Sequence, residues 1–232
     1  MARGLAASLV SLLLLVGCGQ APVGEPPVAG EVEEDDSSAT AVVLEGRGTF
    51  FAIRPDDRLC AAPACGGAFV RRVNFPETRC ADGTVLPECY VAEVLLPPGV
   101  DAIPGPSESL YRGALSLKPL SDGKSHGVFE TTEVWSPDTL IGALPEGTFY
   151  RIEKAEILCV RAPCPSLRQA KLNSTAPSKL LQNLELEVGS EAQRELAQVA
   201  AHTSGLLVAG SNKPKKGGLA LSATQYYRRV AP

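Results

Sequence analysis

The residues whose spacing most plainly implies chemistry are cysteines. CAAPAC spans residues 60–65 and CVRAPC spans residues 159–164, so two pairs with the same gap lie 99 positions apart. Cys80 and Cys89 enclose ADGTVLPE between them. Thiols so placed either oxidise to disulfides or, as thiolates, ligate a metal. Zinc sites usually separate the two ligands of a pair by about two to four residues. Here Cys80 and Cys89 are eight intervening residues apart, and the second copy keeps one pair without the other, which a four-thiolate site would not survive. No metal ligand set is assigned, and no cofactor is expected.

Other chemistry is sparse. The two histidines, His126 and His202, belong to no recognisable triad or metal motif. His126 sits among Ser, Gly and Lys, and His202 at a helix end where it complements the dipole. No G-x-S-x-G, H-E-x-x-H or phosphate-binding glycine loop occurs. The carboxylates read as solvated strand faces, so no catalytic residue is assigned and an enzyme is not expected. One loop has a sharper reading. Arg161-Ala162, inside the Cys159–Cys164 ring, resembles the rigid loops that small protease inhibitors present to trypsin-like pockets, and Ala62 takes the corresponding place in the first ring. The plainer reading of both rings is structural.

These cysteines are carried by a repeat. Gly48–Asn74 aligns without a gap on Gly147–Asn173, with identities at Gly48/Gly147, Thr49/Thr148, Phe50/Phe149, Ile53/Ile152, Leu59/Leu158, both cysteines and Asn74/Asn173. More loosely, GALSL at Gly113 parallels GLLVA at Gly205, and Gly127–Trp135 parallels Gly218–Tyr226. In the first strand Phe50 and Ala52 alternate with Phe51 and Ile53. A second strand covers Ala68–Asn74, and a third, Asn183–Val188, points Leu184, Leu186 and Val188 to one face. Ser190 then N-caps a helix through a capping box with Gln193. Its apolar stripe is predicted as Ala192, Leu196, Val199 and Ala200, and Gly205 closes it. Pro104 and Pro106 shorten the matching helix of the first copy. Strands at Gly127–Trp135 and Gly218–Tyr227 end the copies. Trp135, Tyr226 and Tyr227 are assigned to core or rim packing, and Lys213, Lys215 and Lys216 to a solvated hairpin tip. The fold class is mainly β (α+β): two tandem β-β-β-α-β-β modules, at 43–137 and 146–230. That element order resembles the OB-fold barrel, and a small α+β sandwich fits it equally.

The amino end supplies a location. Arg3 and the apolar run Leu5–Val16 read as a signal peptide, too short to span a bilayer. Leu15-Val16-Gly17-Cys18 resembles the lipobox of bacterial lipoproteins. That resemblance implies cleavage after residue 17, acylation of Cys18 and membrane attachment through several acyl chains. Gly19, rather than aspartate, after the cysteine implies the outer membrane. Residues 18–42 hold the lipid site and an acidic, Pro/Gly-rich tether that cannot bury enough apolar surface to fold. With Cys18 set aside, six cysteines remain, and the repeat pairs Cys159 with Cys164, Cys60 with Cys65 and, by remainder, Cys80 with Cys89. The formal net charge of −4 offers no basic footprint for nucleic acid.

From Cys60 to Val91, Cys-x-x-Pro-x-Cys-Gly-Gly is followed by Val-Arg-Arg-Val-Asn, Cys-x-Asp-Gly and Cys-Tyr-Val. The pattern resembles an uncharacterised family of bacterial lipoproteins known only as a domain of unknown function. The second copy has Pro165-Ser166 where the first has Gly-Gly. The family implies no activity, so no catalytic residue is carried over. The expectation is a lipid-anchored, non-enzymatic cell-envelope module that binds a protein or other envelope ligand. A protease inhibitor is the alternative, and an envelope hydrolase a distant third.

Overall fold

In the computed structural model the described residues are 48–100, 109–121, 123–139, 145, 147–157, 164–215 and 218–230, all within one compact unit. Cys18, Cys159, Arg161, Ala162, Lys216 and the segment carrying Pro104 and Pro106 lie outside them. Fourteen described strands and one helix follow in order: β1 (Thr49–Pro55), β2 (Ala68–Arg72), β3 (Thr78–Arg79), β4 (Val85–Leu86), β5 (Cys89–Val91), β6 (Glu93–Leu95), β7 (Leu110–Pro119), β8 (Ser125–Pro137), β9 (Thr148–Lys154), β10 (Leu167–Lys171), β11 (Lys179–Leu181), β12 (Asn183–Leu186), α1 (Glu191–Thr203), β13 (Leu206–Lys215) and β14 (Gly218–Arg229). The protein is mainly β. No helix among the described residues is long and apolar enough to cross a membrane.

The main sheet runs β11-β10-β9-β13-β14-β8-β7-β1-β2-β5, with β6 added parallel to β8 and β12 parallel to β14. The order is a palindrome of the repeat. Each copy contributes the same pairings, and their last strands meet antiparallel at the centre, with Tyr227 opposite Pro137 and Arg229 opposite Trp135. An OB-like barrel is therefore not what forms. Each copy ends on a long strand that finds its partner in the other copy, so the ladder stays open. The third strand of the second copy is split into β11 and β12, and the first copy adds the short β3–β4 hairpin.

The registers correct the looser half of the internal alignment. Thr49 faces Gly113 and Thr148 faces Gly210, so Gly113 corresponds to Gly210 rather than to Gly205. Leu110 faces Trp135 and Leu207 faces Tyr227, which makes Tyr227, not Tyr226, the counterpart of Trp135. A slip of one residue would have turned every side chain to the wrong face. Both copies also bulge at the same place, between Arg112 and Gly113 and between Ala209 and Gly210. At each bulge a threonine hydroxyl caps the carbonyl of the preceding residue: Thr132 Oγ1 donates to Arg112 O at 3.0 Å and Thr224 Oγ1 to Ala209 O at 3.3 Å. A Cβ on Gly113 would strike the Glu130 carbonyl and one on Gly210 the Ser222 carbonyl, so only glycine lets the strands approach this closely.

Three cores result. Phe51, Ile53, Val70, Val91 and Phe129 fill the first copy. Ile152, Leu167, Leu181, Leu206 and Leu221 fill the second beneath α1. Between them lies a shared core of equivalent pairs: Phe50 with Phe149, Val73 with Leu172, Leu110 with Leu207, and Trp135 with Tyr227. Alternation sends Phe50 and Ala52 to the shared core and Phe51 and Ile53 to the first copy's own, so β1 is buried on both faces. Trp135, Tyr226 and Tyr227 are all fully buried.

Helix α1 begins with the capping box: Ser190 Oγ accepts from Gln193 N, and Gln193 Oε1 from Ser190 N at 2.8 Å. It ends where Gly205, at φ +85°, donates its N–H to Ala200 O at 2.8 Å. Its buried face is Ala197, Ala200 and Ala201, whereas Leu196 and Val199 are 52% and 58% exposed. The predicted stripe is thus rotated. The sheet below is already crowded with leucines, and only alanine lets the helix axis lie close against it.

Candidate functional site

Asn74 and Asn173, the last identities of the repeat, hold the two copies together. Both adopt left-handed backbone (φ 66° and 57°), which asparagine tolerates at the end of a strand. Each then reaches into the opposite copy. Asn74 Nδ2 donates to Phe149 O (2.8 Å) and Leu172 O (3.0 Å), while its Oδ1 accepts from Phe149 N at 2.8 Å. Asn173 Nδ2 donates to Phe50 O (2.8 Å) and Val73 O (3.0 Å), and its Oδ1 accepts from Phe50 N at 2.7 Å. Each carboxamide stands in for a peptide group: Asn74 ties the end of β2 to β9 and Asn173 ties the end of β10 to β1, pairs of strands that no ladder joins.

Beside Asn74 lies a groove of about 490 Å³, walled by Phe75, Pro76, Pro145 and Phe149 and bearing Arg71 and Lys171. Neither cation has a hydrogen-bond or ion-pair partner among the described residues. Arg72 stacks on Phe75, 3.8 Å from its ring centroid, and fixes that wall. The groove belongs to one side of the pseudo-symmetry. Ala170, Ser174 and Thr175 occupy the positions equivalent to Arg71, Phe75 and Pro76. Such a surface suits an anion with an apolar or planar part.

The cysteines lie elsewhere. Cys60–Cys65 and Cys80–Cys89 are each bridged with Cα atoms 5.4 Å apart, which removes these four sulfurs from metal chemistry. Cys164 is also disulfide-bonded. Among the described residues no group of three or more His, Cys, Asp or Glu side chains is placed to hold a metal. The first ring projects into solvent and is braced at its base. Arg58 donates to both oxygens of Asp56 (2.8 and 2.9 Å) and to Ala64 O (3.1 Å), and Tyr90 Oη donates to Pro63 O at 2.9 Å. The Arg58 guanidinium holds the Asp56 carboxyl below its ordinary range. Leu59 at the ring's edge is wholly exposed. In the second bridged loop Asp82-Gly83 turns tightly, with Gly83 at φ +86° and Thr84 N donating to Asp82 Oδ1 at 3.0 Å.

Carboxylates predicted as solvated are partly interior. Glu133 accepts from Arg112 Nη1 (2.9 Å) and Trp135 Nε1 (3.0 Å). Burial pushes its pKa up, but those two donors hold it below the usual range. Asp138, also buried, accepts Arg228 Nε at 2.6 Å across the central seam. Lys213 and Lys215 pair with Glu187 and Glu185 on the outer sheet face. There Ser222 Oγ touches both Lys213 Nζ and the Glu187 carboxylate. His126 Nε2 lies 3.8 Å from Glu93, and His202 ends α1. Arg161 and Ala162 fall outside the described residues. Sequence reasoning missed Arg71, Lys171 and the role of both asparagines. The signal was present in the identity Asn74/Asn173 and in the substitution of Arg71 by Ala170.

Fold and site together define a two-copy, single-sheet β protein, clasped by asparagine, with a cationic groove beside its junction. Residues 49–232 match the family described as Domain of unknown function (DUF6748), and the chain belongs to it. No curated protein and no solved structure matches it.

Proposed function

We propose that this protein is a non-enzymatic binding module of the cell envelope, anchored by lipid on Cys18 and receiving an anionic ligand in the groove beside Asn74. The observation that carries the reading is the pair of cations, Arg71 and Lys171, without a partner among the described residues, on a groove walled largely by Phe75, Phe149, Pro76 and Pro145. Its size lies within the roughly 300–1,000 Å³ of ligand sites. The rest of the chain is acidic on balance, so two unneutralised cations in one groove favour an acidic partner. The lipobox-like Leu15–Cys18 and the acidic tether support attachment to the outer membrane, with the folded body held off its surface.

The test uses the whole chain, immobilised against envelope extract, beside an Arg71→Ala/Lys171→Ala variant. A component retained by the wild type, released by salt and lost in the variant supports the reading; equal retention by both sinks it. Mass spectrometry of the mature protein must show an acylated Cys18 as its first residue, and an intact leader would remove the anchor.

The braced first ring favours a second reading, a protease inhibitor. Its backbone is fixed by Arg58 and Tyr90, and a pre-fixed loop loses little ordering entropy on binding. Nanomolar inhibition of a protease with a small primary pocket that disappears with Ala62→Asp would establish it for this ring, and inhibition of a trypsin-like enzyme that disappears with Arg161→Ala would extend it to the second. Inertness toward such proteases would leave the groove as the sole reading.

A further inference from the structure

The two copies differ most at one equivalent place. In the first copy Phe51, Val70 and Cys89 are buried there against Phe129, and the Cys80–Cys89 bridge ties down the β3–β4 hairpin alongside. By register the second copy has Tyr150 for Phe51, Gln169 for Val70, Lys179 for Cys89 and Asn212 for Leu115. The hairpin is replaced by the short turn around Ala176 and Pro177. What was packed core becomes a pocket of about 130 Å³, lined by these residues and by Lys171 at its lip.

The polar groups of this pocket are unsatisfied in a consistent way. Gln169 is only 3% exposed, yet its Oε1 accepts no hydrogen bond. A buried amide oxygen without a donor is costly, and valine at the equivalent position of the first copy avoids the cost. Tyr150 Oη accepts from Asn212 Nδ2 at 3.0 Å, which leaves its own proton to donate and Asn212 Oδ1 to accept. Lys179 and Lys171 carry no ion-pair partner among the described residues. The pocket thus offers two ammonium groups and a hydroxyl as donors, beside two amide oxygens as acceptors.

We infer that this pocket binds a small carboxylate that carries a neighbouring N–H or O–H donor: an α-hydroxy or α-amino acid, free or as the last residue of a chain. The lysines and Tyr150 take the carboxylate, and Gln169 Oε1 takes the adjacent donor. The volume is far below the roughly 300 Å³ of a drug-sized site, so only a group of this size enters. The pocket shares Lys171 with the groove but can be tested apart from it, because Gln169 and Lys179 do not line the groove and Arg71 does not line the pocket.

The test follows the Gln169 side-chain amide by ¹H–¹⁵N NMR in the whole chain, assigned by its loss in Gln169→Val. Glycolate and glycine are titrated beside acetate, which lacks the second donor, and glycinamide, which lacks the carboxylate. Saturable shifts with glycolate or glycine are expected, weakened about tenfold or more in Lys179→Met. Acetate should bind more weakly and glycinamide not at all. Gln169→Val, which restores the first copy's residue, should raise the melting temperature and abolish glycolate binding measured by calorimetry; Lys213→Met should change neither. A tripeptide with a free terminal carboxyl, compared with its amide, separates a chain end from a free acid as the source. Absence of any shift, glycinamide binding as well as glycine, or glycolate binding unchanged in both pocket variants would overturn the inference and leave a hydrated buried glutamine.

Discussion

Asn74 makes three hydrogen bonds to the opposite copy from a left-handed backbone, and these two contributions can be separated by substitution. Asn74→Gly keeps the backbone conformation unstrained but removes the bonds to Phe149 N–H and Leu172 C=O, while Phe149 C=O still accepts from Leu172 N–H, at a cost of about 3 kcal/mol. Asn74→Ala adds roughly 1 kcal/mol for a Cβ at positive φ. Chemical denaturation should rank wild type above Gly above Ala; equal stability of all three would mean the clasp is idle. Glu133 gives a second outcome at this scale. Its folded pKa lies below its unfolded one, so its contribution is full above the ordinary glutamate range and is lost as pH falls through the depressed value. Melting temperature should therefore drop below about pH 4 in the wild type. Glu133→Gln should be less stable at pH 7 and show a shallower acid slope. The rank of Asn74 was only half legible in sequence. Its identity with Asn173 marked both as special, but an amide that bonds across copies looks the same in sequence as one that closes a local turn.

At the level of elements, the paired bulges make the clearest prediction. Gly113→Ala and Gly210→Ala each place a methyl against a backbone carbonyl that cannot move without breaking a ladder, so each should cost about 1–3 kcal/mol by thermal unfolding. Helix α1 offers a contrast. Ser190→Ala removes the cap and should cost about 1 kcal/mol, while Leu196→Gln should change stability by no more than about 0.5 kcal/mol because Leu196 faces solvent. Elements with local signals were readable: the capping box, the Leu184–Leu186–Val188 alternation and the Asp82-Gly83 turn all appear where the residues place them. The helix face was not, because Leu196 and Val199 are more apolar than the alanines that are actually buried. Closeness of packing, which favours alanine, has no signature in hydropathy. The later strand alignment failed for a related reason. Glycine was matched to glycine by position, whereas the sheet matches the glycines that sit at bulges.

For the whole molecule, the central core is assembled from equal contributions of both copies, so neither can bury its share alone. Phe50, Leu110 and Trp135 of the first copy would stand exposed without Phe149, Leu207 and Tyr227 of the second. The chain should accordingly unfold in a single transition, seen alike by tryptophan fluorescence and far-ultraviolet circular dichroism. Residues 43–137 expressed alone should lack that transition; a separate cooperative melt for this half would show that the shared core is dispensable. The duplication was legible from the first 27 residues of each copy, but its joining was not. Two repeats in sequence read equally well as two beads or as one sheet, and the choice rests on β8 meeting β14, a contact between residues about 90 positions apart. The palindromic strand order has a consequence of its own. It is the arrangement that two half-length chains would make about a two-fold axis, each offering an asparagine and receiving one. Covalent linkage relieves such halves of having to be identical. One could then keep its cystine-bound flap while the other shed it and opened a polar hollow, without either losing its grip on its twin.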